Sequence, residues 1–291
     1  MKYFSKYIEQ IGATIKFTTF TAGEVSEIHA MLSVEPRTDM FDQQFSRIKE
    51  AENQLMQMPE LTGAKAVFKR YFLSDATNQV PAIQENDHCT ISYIQQPPLD
   101  GSKLAVWLYL QKGTAISNSG KSTIVSHNGY RHIWTMGLYN TTADTSYMQT
   151  WETLLSYMDT LKQFDATLEA NCLRTWFFVR DVDTQYNGLV KSRRECFTEQ
   201  GLTSDTHYNG VNMNLQTWLE AANVGYIDAM GFCGDMGSAY STSADDYWLN
   251  VQGVLDYMDP VVESGAIGTA VYTFGNHEWY PSAGGDYMNN Y

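Results

Sequence analysis

FDQQFSRIKEAENQLMQMPELTGAKAVFKRYFLSD, residues 41–75, decides the fold, because its pattern changes once and then returns later in the chain. Phe45, Ile48, Glu52 and Leu55 recur at three- and four-residue steps, which places them on one face of a helix. A short loop follows, then a β-type run at 66–73, and the stretch ends on Asp75. Residues 147–181, YMQTWETLLSYMDTLKQFDATLEANCLRTWFFVRD, repeat that plan. Trp151, Leu154, Leu155, Met158 and Leu161 form the helical face, residues 173–179 the β-type run, and Asp181 the end. Asp75 and Asp181 lie 106 positions apart, as do Phe72 and Phe178. A period of about a hundred residues marks a duplicated unit.

Working outward, extended segments precede each helix. Residues 14–20 and 27–34 come before the first, and 90–94, 104–110, 124–127 and 133–138 before the second. A further helix is expected at 186–200, with Leu189, Arg193, Cys196 and Phe197 on one side. The unit is strands, helix, strand, and it fits an α+β layer fold with helices covering one face of a sheet.

Length and composition frame this reading. The 291 residues are 43% apolar and 18% charged, which is globular composition with room for a sizeable core. No run approaches the roughly 18 apolar residues of a membrane span. The N-terminus lacks a signal-peptide pattern, and the four scattered cysteines read as reduced thiols, so a cytoplasmic protein without membrane association is expected. The net charge of −14 argues against nucleic acid as a partner. Its distribution is more informative. All 19 Lys and Arg residues lie at or before Arg194, whereas residues 205–291 carry 11 acidic residues and no basic one. The first 204 residues are therefore close to neutral, at −3, and the rest stand at −11. A different regime begins near residue 205.

The stretch CLRTWFFVRDVDTQYNGLVKSRRECFTEQGLT resembles the helix–strand–helix block of the reactive-intermediate deaminase (RidA-like, YjgF) superfamily. The doubled unit and the block NGYRHIW at 128–134 look more like its chorismatase-type branch. That resemblance covers roughly residues 1–204 and implies two RidA-like halves, at 1–125 and 126–204. It further implies a small-molecule substrate, chemistry on chorismate without metal or cofactor, and assembly as a homotrimer. The family's next strands, which bear its substrate-binding arginine and glutamate, are not found beyond Thr203. Arg131, with Tyr130 and His132 beside it, is the remaining substrate-binding candidate. A solvent-facing or fold-stabilising arginine is the plainer role for it.

Residues 115–122, AISNSGKS, fit a relaxed phosphate-loop pattern, but the following residues lack the helical periodicity such a loop must open onto. A polar hairpin loop explains them better. The histidines His29, His88, His127 and His132 show no metal-type spacing.

The C-terminal segment differs. Asp205-Thr206-His207 forms D-x-H, Gly234-Asp235 follows, and Gly275-Asn276-His277-Glu278 comes later. Leu215, Trp218, Leu219 and Ala222 make one helix face, and Trp248, Val251, Leu255 and Met258 a second. Strands are expected at 226–233 and 266–274, each running into a polar motif. Open α/β sheets place ligands at such carboxyl ends. Two bridged divalent metals need this mixture of carboxylate, amide and imidazole ligands. The order D-x-H, GD, GNHE resembles the calcineurin-like metallophosphoesterases. By that resemblance, Asp205 and His207 bind the first metal, Asp235 bridges both, Asn276 binds the second and His277 serves the leaving group. Manganese, iron or zinc is the implied cofactor.

The family's later metal-binding histidines have no counterpart after His277, and the polar residues 198–204 replace its first buried strand. Residues 205–291 therefore read as an incomplete βαβ metallophosphoesterase fragment, with weak metal binding and little or no activity expected. A composite chain joined near residue 205 is the favoured reading. Two others remain open: a functional metallophosphoesterase with an accessory N-terminal domain, and a non-catalytic oligomeric protein.

Overall fold

Alternation of apolar and polar residues builds the main sheet. The computed structural model describes residues 1–85, 89–201, 230–232, 252 and 270–272. Strand β1 (Lys2–Ile8) forms an edge. In β2 (Ala13–Ala22), Ala13, Ile15 and Phe17 are buried, while the residues between them point to the other face. Strand β3 (Val25–Val34) does the same with Ile28, Ala30, Leu32 and Val34. Helix α1 (Phe41–Met56) then lays Gln44, Ile48, Ala51, Glu52 and Leu55 against these strands. The Gln43 side chain accepts the Met40 backbone N–H at 2.9 Å and closes the first turn.

Strand β4 (Lys65–Leu73) follows, then the single turn α2 (Ala76–Gln79), whose first amides are capped by Asp75. Strands β5 (Thr90–Gln95) and β6 (Leu104–Lys112) complete a six-stranded sheet in the order β1-β2-β3-β6-β4-β5. The last of these six strands in chain order, β6, thus sits between β3 and β4, antiparallel to both, whereas β4 and β5 are parallel. Gly113, at φ +79°, ends β6 against the β2–β3 turn, where a Cβ would collide with the Glu24 carbonyl. The main core lies between α1 and the sheet and includes Ile15, Leu32, Ile48, Leu55, Tyr71, Val106 and Leu108.

The opposite face of this sheet carries a second, smaller core. A bulge at Val67 puts both Val67 and Phe68 on that face, beside Tyr109. They meet Val125 of a three-stranded antiparallel sheet made of β7 (Ala115–Ser119), β8 (Ser122–His127) and β9 (Tyr130–Thr135), and Met136, which directly follows β9. The β7–β8 hairpin turns at Gly120, so residues 115–122 form a hairpin, not a phosphate loop. Thr90 pins the two sheets: its N–H donates to Thr123 Oγ1 and its hydroxyl to the Lys121 carbonyl, both at 2.8 Å. The sequence boundary at 125/126 passes through the middle of β8.

Helix α3 (Ser146–Lys162) is capped by Thr145, whose hydroxyl oxygen accepts the Met148 N–H at 3.2 Å. The short α4 (Leu168–Asn171) and the long α5 (Val182–Glu199) follow. Tyr147 of α3 donates to Glu195 of α5 at 2.5 Å.

One expectation fails here. Residues 173–179 form no strand, although their aromatic and β-branched composition favours one. Strand identity depends on a ladder partner, and this segment pairs with none among the described residues. It runs in irregular conformation and sets Trp176 and Phe178 against the main sheet instead. Three antiparallel strands thus precede a helix twice, β1–β3 before α1 and β7–β9 before α3, while β4 follows α1 but residues 173–179, after α3, form no paired strand.

The chain divides into two compact units, Met1–Cys196 and Phe197–Tyr291. In the second unit, β10 (Met230–Phe232) and β11 (Ala270–Tyr272) pair in parallel, Gly231 opposite Val271. Both fall within the segments expected to be strands. Among the described residues, no helix is long and apolar enough to cross a membrane.

Candidate functional site

The metal-site residues read from the sequence, Asp205, His207, Asp235, Asn276 and His277, lie outside the described residues. So do the two C-terminal helix faces. In sequence, Asp235 comes three positions after the end of β10, and Asn276 four after the end of β11. Among the described residues, no group of three or more His, Cys, Asp or Glu is placed to hold a metal.

Arg131 is described, and it lies on the surface. It belongs to β9, its side chain is exposed, and one terminal nitrogen donates to the Phe164 carbonyl at 3.5 Å. That contact tethers the loop after α3. Neighbouring Tyr130 is exposed, and His132 meets His127 edge-to-face at 5.1 Å. Among the described residues, the Phe164 carbonyl is the hydrogen-bond partner of Arg131.

Two charged groups inside β4 went unread in the sequence, although consecutive cations within a buried strand are themselves a signal. The strand's alternation sends Lys69 and Arg70 to opposite faces. Lys69, fully buried, faces α1 and pairs with Glu52 of that helix and with Glu85, the latter at 3.0 Å. Lys49 reaches the same two carboxylates at 2.8 and 3.1 Å. Tyr71 donates its hydroxyl proton to Glu85, and burial first, then the Glu85 charge, push its ionisation far above the ordinary tyrosine range. Among the described residues, two cations face two carboxylates under the helix, and the cluster joins α1 to the sheet.

Arg70 faces the other way and is 5% exposed. Its neighbours across the sheet are Ser92 of β5 and Trp107 of β6, with Met31 of β3 beyond. The guanidinium carbon lies 5.7 Å from the ring centre of Phe68, 5.2 Å from Trp107, 5.6 Å from Trp176 and 4.8 Å from Phe178. Four rings thus surround one cation. Its Nε–H donates to Ser92 Oγ at 3.2 Å. Burial lowers its pKa from the usual arginine value, because the charged form loses water.

His29 extends the same face. It stacks on Tyr109 at 4.5 Å, and its Nδ1 accepts the Trp107 indole N–H at 3.2 Å. The imidazole proton accordingly sits on Nε2 and the ring is neutral. Partial burial holds its pKa below the usual histidine value. As pH falls through about 6.5, the unfolded state takes up a proton that the folded ring resists, so stability is lost toward acid. The urea midpoint of the wild-type chain should therefore fall more steeply between about pH 7 and pH 5 than that of His29→Gln. Parallel slopes would remove His29 from this role.

Compared with protein-family models, curated proteins and solved structures, the chain matches none.

Proposed function

We propose that this is a composite, hydrolase-derived chain. Residues 1–204 form a small-molecule-binding unit of RidA-like, chorismatase-type ancestry, and residues 205–291 carry metallophosphoesterase motifs. The observation that carries this reading is the division of the chain between Cys196 and Phe197, two residues after Arg194, the last basic residue. The packing boundary falls within α5, eight positions before residue 205, where the charge regime changes. The parallel pairing of β10 with β11 supports the second half, since βαβ order is what the motif spacing requires. The helix-covered sheet and the repeated strand meander support the first.

The chain itself supplies Asp205, His207, Asp235 and Asn276 as metal ligands, with His277 beside them. This is a thin set for two metals, and loss of first-sphere ligands costs more than the roughly 10–100-fold of an outer partner. Titration of the full chain with manganese should show weak uptake that Asp235→Ala abolishes. Hydrolysis of p-nitrophenyl phosphate should stay near the rate of manganese alone. Vigorous turnover lost in Asp235→Ala would replace this reading with a working phosphoesterase. Complete absence of metal uptake would remove the phosphoesterase half altogether. Nucleic-acid reads crossing residues 195–220 test the composite origin: a continuous, abundant message from native cells would show an established fusion instead.

A further inference from the structure

Arg70 leaves most of its hydrogen-bonding capacity unused by the described protein groups. A guanidinium carries five N–H donors. Ser92 accepts the one on Nε, and the two terminal nitrogens meet no protein acceptor among the described residues. No carboxylate lies within ion-pair distance of it there, in contrast to Lys69 on the opposite face of the same strand. Aromatic rings stabilise a cation through their faces, yet they accept few of its in-plane protons. A guanidinium walled by rings, with its residue 5% exposed and its fork free of described protein partners, can receive an anion from solvent.

The surroundings narrow the class of anion. Arg174 stands over the Trp176 ring at 4.9 Å, so a second cation shares one wall of the cage. Trp176 in turn stacks on Trp134 at 6.2 Å. Trp176 and Phe178 each keep about half of their surface exposed, at 41% and 53%, and offer apolar edges beside the guanidinium. One fork suits one planar carboxylate bound through both oxygens. A phosphate dianion would need further donors to offset its desolvation.

We propose that Arg70 is the receptor for a ring-bearing monocarboxylate, held by the terminal guanidinium nitrogens and flanked by Trp176 and Phe178. This site is separate from Arg131 and does not depend on the ancestry of either half of the chain. It uses the residues that residues 173–179 contribute by leaving the sheet ladder.

Tryptophan fluorescence reports directly, since Trp107 and Trp176 form the cage. At constant ionic strength, benzoate should change the emission of the full chain saturably and raise its melting temperature. Acetate, lacking a ring, and phenylphosphate, carrying the wrong head group, should each bind more weakly by at least about tenfold. Arg70→Lys keeps the charge but loses the fork, and should weaken benzoate by about tenfold or more, the loss of one charge-assisted hydrogen bond. Arg70→Met should abolish the response with the circular dichroism spectrum unchanged. If Arg70→Met does not fold, the lysine variant decides. Trp176→Ala, an exposed position, should bring benzoate down to the level of acetate. Wild-type benzoate affinity in Arg70→Lys would overturn the proposal, as would equal binding of acetate and benzoate. Tighter binding of phenylphosphate would overturn the carboxylate assignment.

Discussion

Lys69→Ala should lower the stability of the first unit by about 3–5 kcal/mol, the cost of removing one partner from a buried ion group. Lys69 is fully buried, and its ammonium stands between Glu52 of α1 and Glu85. Without it, the partly exposed Lys49 is the cation left facing those two carboxylates among the described residues. The penalty comes from stranded charge, more than from the pair's own attraction. Lys69→Met retains most of the volume and should therefore be nearly as harmful as alanine. Combining Lys69→Met with Glu52→Leu should restore part of the loss, because one of the stranded carboxylates goes too. Urea unfolding followed by tryptophan emission reads all three variants. A deficit below about 1 kcal/mol for the single change would mean the cluster is open to water.

Phe68→Ala comes next in size, at about 3–5 kcal/mol, as for other buried aromatics cut to alanine. Phe68 touches Trp107, Tyr109 and Trp134 with ring centres 5.1–5.5 Å apart, and its ring also faces Arg70. It belongs to the small core that holds the three-stranded sheet against the main one. The loss should accordingly be uneven. Hydrogen exchange should accelerate most in β7–β9, while the amides of β2 and β3, facing the α1 core, should change less. Uniform acceleration across both sheets would show that the two cores unfold as one.

Local pattern carried much of this fold. Alternation in β2 and β3, and three- and four-residue spacing in α1 and α3, place those elements within a few residues of where they lie. Strand β1 was missed because its KYFSKYI mixes lysines with aromatics, as a solvated edge does. Residues 173–179 were misread for the opposite reason: their composition favours a strand, but composition does not supply a neighbour to pair with. The Arg70 cage was illegible for a related cause. Its four rings come from β4, β6 and the segment after α4, separated by up to about a hundred positions, a distance over which spacing holds no information. Arg131 is singled out by a resemblance, and among the described residues it holds the Phe164 carbonyl. The metal motifs belong to residues beyond those described, so they stand on their sequence order and on the β10–β11 pairing.

The position of β6 has a consequence for synthesis. A growing chain makes β1–β3 and then β4–β5, and nothing yet joins these two pieces side by side. Until residue 112 has been translated, β3 and β4 each present an open flank of unpaired amides and carbonyls. At roughly 5–20 residues per second, that interval lasts seconds. Helix α1, already formed, can cover the apolar face meanwhile but not the flanks. A chain ending shortly before residue 104 would therefore present two sticky half-sheets, and the next nine residues would close them into one.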